Sequence, residues 1–166
     1  MKTFVIDEFS VSENKACNFY TVRFDDEEVS ETDKFIDRFN AEDNEYYEDL
    51  QMIGALIEVL SEDGTAVIRR ARDESRAFAL PPEVLEASAK INVTGNKLRL
   101  YYVELSERVF VLLGGGVAHG EPYGHPPIQL KDAQIFAKKI EEAVGTEFDI
   151  DNNMLIPIVG SEIIIH

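Results

Sequence analysis

The period of the apolar positions changes along the chain, and the elements follow from those changes. Thr3 to Ile6 is a short apolar run that predicts a first strand, and the polar stretch Ser10 to Asn18 predicts a loop. Phe19 to Phe24 alternates around aromatic and β-branched residues, the pattern of a strand on a pleated surface. Ser30-Glu31-Thr32-Asp33 has the form of a helix N-cap with an acidic residue three positions on, and Phe35, Ile36 and Phe39 follow on one helical face. Tyr46, Leu50, Ile53, Ile57 and Leu60 recur at spacings of four, three, four and three, which predicts a second helix with one buried stripe. Asp63-Gly64 ends it.

Beyond Gly64 the period becomes two. Thr65 to Arg70 predicts one strand, and Arg76 to Leu80 another, ended by Pro81-Pro82 because proline cannot donate to a ladder. Lys97 to Leu105 is the strongest strand signal, with Leu98, Leu100 and Tyr102 on one side and Arg99, Tyr101 and Val103 on the other. Ser106-Glu107 turns it into Arg108 to Leu113, which predicts an antiparallel hairpin. Gly114 to Pro127 reads as a loop rich in glycine, proline and histidine. Gln129 to Val144 predicts a third helix buried through Ala133, Phe136, Ala137, Ile140 and Val144, with Gly145 as its end. The tail predicts one or two short strands joined at Val159-Gly160. This order gives an α+β fold in a single domain over residues 1–166.

Composition sharpens the picture in a few places. A chain of 166 residues with 45% hydrophobic side chains can build a core without a metal or a disulfide. Cys17 is the one cysteine, so an intrachain disulfide is excluded, and a small buried hydrophobe is its plain reading. No apolar run approaches the roughly 20 residues of a membrane helix. Met1 to Ser10 lacks the apolar stretch of a signal peptide, so the cytoplasm is expected and a membrane is not.

Net charge is −16, and it is unevenly spread. Residues 1–63 carry 18 acidic and 5 basic side chains, residues 64–139 carry 8 and 11, and residues 140–166 carry 6 acidic and none basic. Phosphate binding rests on Lys and Arg, so such a surface repels nucleic acid on average. Solubility alone accounts for many acidic surfaces.

Arg69, Arg70, Arg72 and Arg76 form the densest basic cluster. They suit a phosphate backbone or an acidic peptide; the acidic excess equally predicts pairing with the chain's own acidic helices. His119 and His125 flank Glu121, which are zinc-ligand types, but the spacing matches no zinc motif and no fourth ligand is indicated. No metal or cofactor is expected. Gly114-Gly115-Gly116 follows a strand without a Gly-Lys-Ser/Thr continuation, so a turn or bulge is expected there.

Five stretches together resemble the RelE/HigB/ParE superfamily of bacterial toxins. They are FYTVRF at Phe19 to Phe24, the helix pair from Ser30 to Leu60, ALPP at Ala79 to Pro82, KLRLYYVELSERVFVLLGGG at Lys97 to Gly116, and the helix from Gln129. The resemblance spans residues 19–144 and leaves 145–166 as a C-terminal extension. It implies an antiparallel curved sheet packed against a helix pair, with a C-terminal helix. It implies a toxin–antitoxin or phage-derived locus, an antitoxin protein as partner, and a metal-independent endoribonuclease acting on RNA or at the ribosome when active.

In that chemistry a 2′-hydroxyl attacks the neighbouring phosphate, so one group must stabilise added negative charge and another must move protons. Arg99 matches the arginine of the L-R-L-Y strand, and Tyr123 or His125 matches a late aromatic residue or histidine. His119 is a loop histidine suited to general-base work near pH 7, so Arg99 is expected to stabilise the phosphate and His119 or Tyr123 to move protons. Two departures thin the site. Gly114 to Ala118 stands where relatives place a cation, and RAFALPP lacks the usual lysines. The readings are therefore an mRNA-cleaving toxin with a thinned-out site, a catalytically degenerate module that binds a protein partner, or an unrelated α+β protein.

Overall fold

Ser30 starts the first helix as its sequence predicts: its Oγ accepts the N–H of Asp33 at 3.1 Å, which satisfies one of the orphan donors of the first turn. The computed structural model describes residues 1–118 and 126–166. Chain order is β1 (Phe4–Ser10), β2 (Asn18–Phe24), α1 (Glu31–Phe39), α2 (Tyr47–Asp63), β3 (Ile68–Asp73), β4 (Phe78–Leu85), β5 (Leu98–Ser106), β6 (Val109–Val117), α3 (Gln129–Ala143), β7 (Phe148–Asp151), β8 (Met154–Pro157) and β9 (Ile163–Ile165). The class is α+β. No helix among the described residues is long and apolar enough to cross a membrane.

Seven strands form one sheet in the order β3-β4-β5-β6-β2-β1-β9. Every neighbouring pair is antiparallel except β2 and β6, which run parallel from Asn18 opposite Val109 to Thr21 opposite Leu112. A parallel pair needs a long crossover, and here α1, α2 and the meander β3 to β5 supply it. The β5–β6 hairpin is antiparallel, as its sequence predicts.

Helices cover the sheet on opposite faces. Leu98, Leu100 and Tyr102 of β5 enter the core beneath α1 and α2 with Phe35, Ile53 and Ile57. Tyr101 and Val103 enter the other core, beneath Ala133, Phe136 and Ile140 of α3. Rings knit each core: Tyr102 stacks on Phe110 with centroids 4.4 Å apart, and Phe4 meets Phe136 edge-on at 4.8 Å. Every residue of β6 is buried, as expected of a strand covered on both faces.

Four local expectations are corrected. Thr65 to Val67 forms a 3-10 turn, and the strand starts only at Ile68. β4 runs through Pro81-Pro82 rather than ending before them. Its ladder to β5 stops at Leu80, and its ladder to β3 skips from Ala79 to Val84, so both prolines sit in a bulge where no ladder N–H is required. The third helix ends at Ala143, which takes the buried place assigned to Val144; Val144 itself is exposed. The tail holds three strands, and its hairpin turns at Asn152-Asn153, both at positive φ, with β9 returning to pair with β1.

Gly114 to Val117 continue β6 rather than opening the expected loop, and the glycine run forms a bulge within the strand. The β5–β6 register slips between Leu100–Gly115 and Tyr102–Leu112, with Gly114 in the slip at φ 82°. At Gly115 a side chain would overlap the carbonyl oxygen of Arg99 on the neighbouring strand.

Candidate functional site

Register places the predicted Arg99 on β5 opposite Gly116, with its side chain on the α3 face beside that of Tyr101. Its guanidinium is half-buried. Nη1 donates to the carbonyl oxygens of Asn96 and Leu98, both at 2.8 Å, so the chain's own backbone takes both hydrogens of that nitrogen. Arg72 reaches the same neighbourhood through two ladder steps, Arg72 opposite Ala79 and Ala79 opposite Tyr101. Its Nε donates to the carbonyl oxygen of Pro81 at 3.1 Å.

Glu74 completes this group from the β3–β4 turn. The turn closes through Glu74 N–H donating to Ala77 O, and Gln134 of α3 donates to Glu74 O at 2.8 Å. Burial lowers the pKa of Arg99 and the Arg72 charge adds to the effect. Burial raises the Glu74 carboxyl, against the pull of Arg72 and Arg99. Burial also pushes the Tyr101 phenol far up, and its hydroxyl has no hydrogen-bond partner among the described residues. No ion pair within 4.0 Å joins Arg72 or Arg99 to a carboxylate among the described residues.

Chemically this is a cation pair with a phenol held neutral. It can offer positive charge to an anion. The phenol is no proton acceptor near neutral pH, because it is driven away from ionisation, which leaves the Glu74 carboxylate as the acceptor among the described residues of this group. The predicted proton carriers His119 and Tyr123, with His125, lie outside the described residues.

The other predicted arginines disperse. Arg69 faces Glu86 at 3.5 Å and Arg70 faces Glu83 at 3.6 Å, so both pair within the chain, across the β3–β4 edge rather than with the helices. Arg76 sits at φ 67° in the β3–β4 turn and joins Lys131, Lys138 and Lys139 around a shallow depression on α3. Lys139 there donates to the carbonyl oxygen of His166 at 2.9 Å. Cys17 is buried, and burial with the nearby Glu104 charge pushes its thiol up to about 12.

A second site was not legible as such. Between α1 and α2 lies a cleft of about 400 Å³ floored by Phe35, Ile53, Ile57 and Leu100, with Glu58, Glu62 and Lys15 along its walls. The signal for it in the sequence is Gly54, a glycine inside the second helical stripe.

Searches of protein-family models, of curated proteins and of solved structures each found no match to this chain.

Proposed function

We propose that this chain is a protein-binding module that holds a basic protein partner on the acidic helical face of α1 and α2. The observation that carries this reading is the segregation of charge. Residues 1–63, net −13, build β1, β2, α1 and α2, and α2 carries Glu48, Asp49, Glu58, Glu62 and Asp63 with no basic residue, whereas α3 on the opposite face balances Lys131, Lys138 and Lys139 against Asp132, Glu141 and Glu142. A face with a strong excess of one sign steers an oppositely charged partner and disfavours like-charged ones. The fitting partner is a protein with a cationic surface of the kind that binds nucleic acid, with which the acidic face would compete. With Arg99 Nη1 tied to its own backbone, fewer of its donors are left for a phosphate, which supports this reading, in line with a catalytically degenerate RelE-like module.

The test compares two triple charge reversals of equal net charge. Asp37→Lys, Glu58→Lys and Glu62→Lys alter exposed positions of α1 and α2; Glu141→Lys, Asp149→Lys and Asp151→Lys alter exposed positions elsewhere. Binding of an oligolysine probe at low salt should weaken markedly in the first variant and little in the second. Equal weakening in both would leave only net charge and sink the reading.

A second reading remains the RelE-like, mRNA-cleaving toxin, metal-independent, acting in the cytoplasm on RNA at the ribosome and held by an antitoxin. The gathering of Arg72, Arg99 and Tyr101 without a paired carboxylate favours it. There Arg99 would stabilise the phosphate and His119 or Tyr123 would move protons.

A further inference from the structure

We propose that the α1–α2 cleft seats apolar side chains of the basic partner; this rests on the acidic-face reading and adds to it the means of anchoring. The floor is apolar, and about 400 Å³ lies within the range of built binding sites. Gly54 opens one wall. A glycine inside a helix costs about 1 kcal/mol against alanine, yet a Cβ built there meets nothing within 4 Å. No packing neighbour requires this glycine, so its effect is to leave space over the floor.

The polar features of the cleft specify the occupant. Glu58 and Glu62 are exposed on its α2 side, against the single cation Lys15. That balance opposes an anionic lipid or metabolite and suits a segment whose apolar residues are flanked by Lys or Arg. Ser61 is buried in the wall, and its Oγ has no hydrogen-bond partner among the described residues. A buried hydroxyl left unpaired costs free energy, and an incoming backbone or side-chain polar group would relieve it. The occupant is therefore an amphipathic cationic peptide segment, anchored by its apolar face in the manner of a helix in a groove.

Two synthetic peptides of about 15 residues test this. Both carry the same lysines. One places Leu at helical i, i+3, i+4 spacing, and the other places Ser at those positions. Fluorescence anisotropy should show the Leu peptide binding the wild-type protein at least about tenfold tighter, the scale of one well-buried apolar side chain. Gly54→Leu, which fills the cleft, should abolish that ratio and leave the Ser peptide's affinity unchanged. Ile36→Ser, which strips apolar surface from the opposite wall, should reduce the ratio, and a thermal melt of each variant reports folding. Equal affinities for the two peptides, or a ratio unchanged by Gly54→Leu, would overturn the cleft assignment while leaving the acidic face standing. Binding of neither peptide would overturn both.

Discussion

The backbone N–H of Leu155 donates to the hydroxyl of Tyr20 across 2.9 Å, and this bond ties the β7–β8 hairpin to the centre of the main sheet. Tyr20 is buried on β2 and Leu155 on β8. Tyr20→Phe removes the acceptor and strands a buried N–H, which costs about 1–3 kcal/mol. Urea denaturation should show a lower midpoint with an unchanged slope. A midpoint equal to wild type would mean that water replaces the hydroxyl.

Gly115→Ala should be far more damaging. Its Cβ would overlap the Arg99 carbonyl across the hairpin, and backbone cannot rotate aside as a side chain can. The expected result is loss of cooperative thermal unfolding, or a destabilisation above about 4 kcal/mol. Gly95→Ala, at φ 79° with no neighbour within 4 Å, meets only the backbone-angle cost and should be much less damaging. Equal losses would show that the hairpin opens to accept a Cβ at Gly115, so that the interstrand approach there is not tightly held.

Cys17 gives a pH prediction. Its folded-state value is raised to about 12 from an ordinary 9.0, so folded protein keeps its proton where unfolded chain releases it. The contribution to stability is complete below pH 9 and is lost as pH rises toward 12; the buried phenols of Tyr101 and Tyr102, also raised, act in the same direction. Stability should fall with alkaline pH. At pH 8 a thiol reagent should label Cys17 only in denaturant. Fast labelling of native protein would contradict its burial.

Arg99→Ala separates the two functional readings. Under the binding-module reading, expression of the wild-type chain leaves growth unaffected and the substitution is silent in that assay. Affinity for generic RNA near 150 mM salt should stay weaker than micromolar for both proteins, because so acidic a surface lacks the several phosphate contacts that tight binding uses. Growth arrest by wild type that disappears in Arg99→Ala would restore the ribonuclease reading.

Much of this fold is legible in the sequence where one face of an element is buried. The stripe through Leu50, Ile53, Ile57 and Leu60 and the alternation along Leu98 to Val103 each report a single choice between core and solvent. Pro81 and Pro82 mislead because a bulge removes the ladder bond that proline would break, and bulges depend on register with a partner strand. The nearness of Arg72 to Arg99 is illegible for the same reason: it needs two registers, β3 on β4 and β4 on β5. Asn152-Asn153 was readable as a hairpin turn, since asparagine tolerates positive φ. The cleft depends on how far α1 and α2 diverge, and only Gly54 hints at that.

The parallel seam between β2 and β6 joins residues far apart in the chain, Asn18 to Val109 and Thr21 to Leu112. The β1–β2 hairpin and the β3–β6 meander can each assemble from neighbours in sequence. Joining them requires closing the whole intervening loop, an entropy cost met before any seam contact repays it. Closing this seam is therefore the expected slow step of folding, and the edge-on packing of Phe19 against Phe110, 5.5 Å between centroids, lies on it. Phe110→Leu should accordingly slow refolding in stopped-flow more than it speeds unfolding, making the middle of the sheet the pacemaker of the molecule.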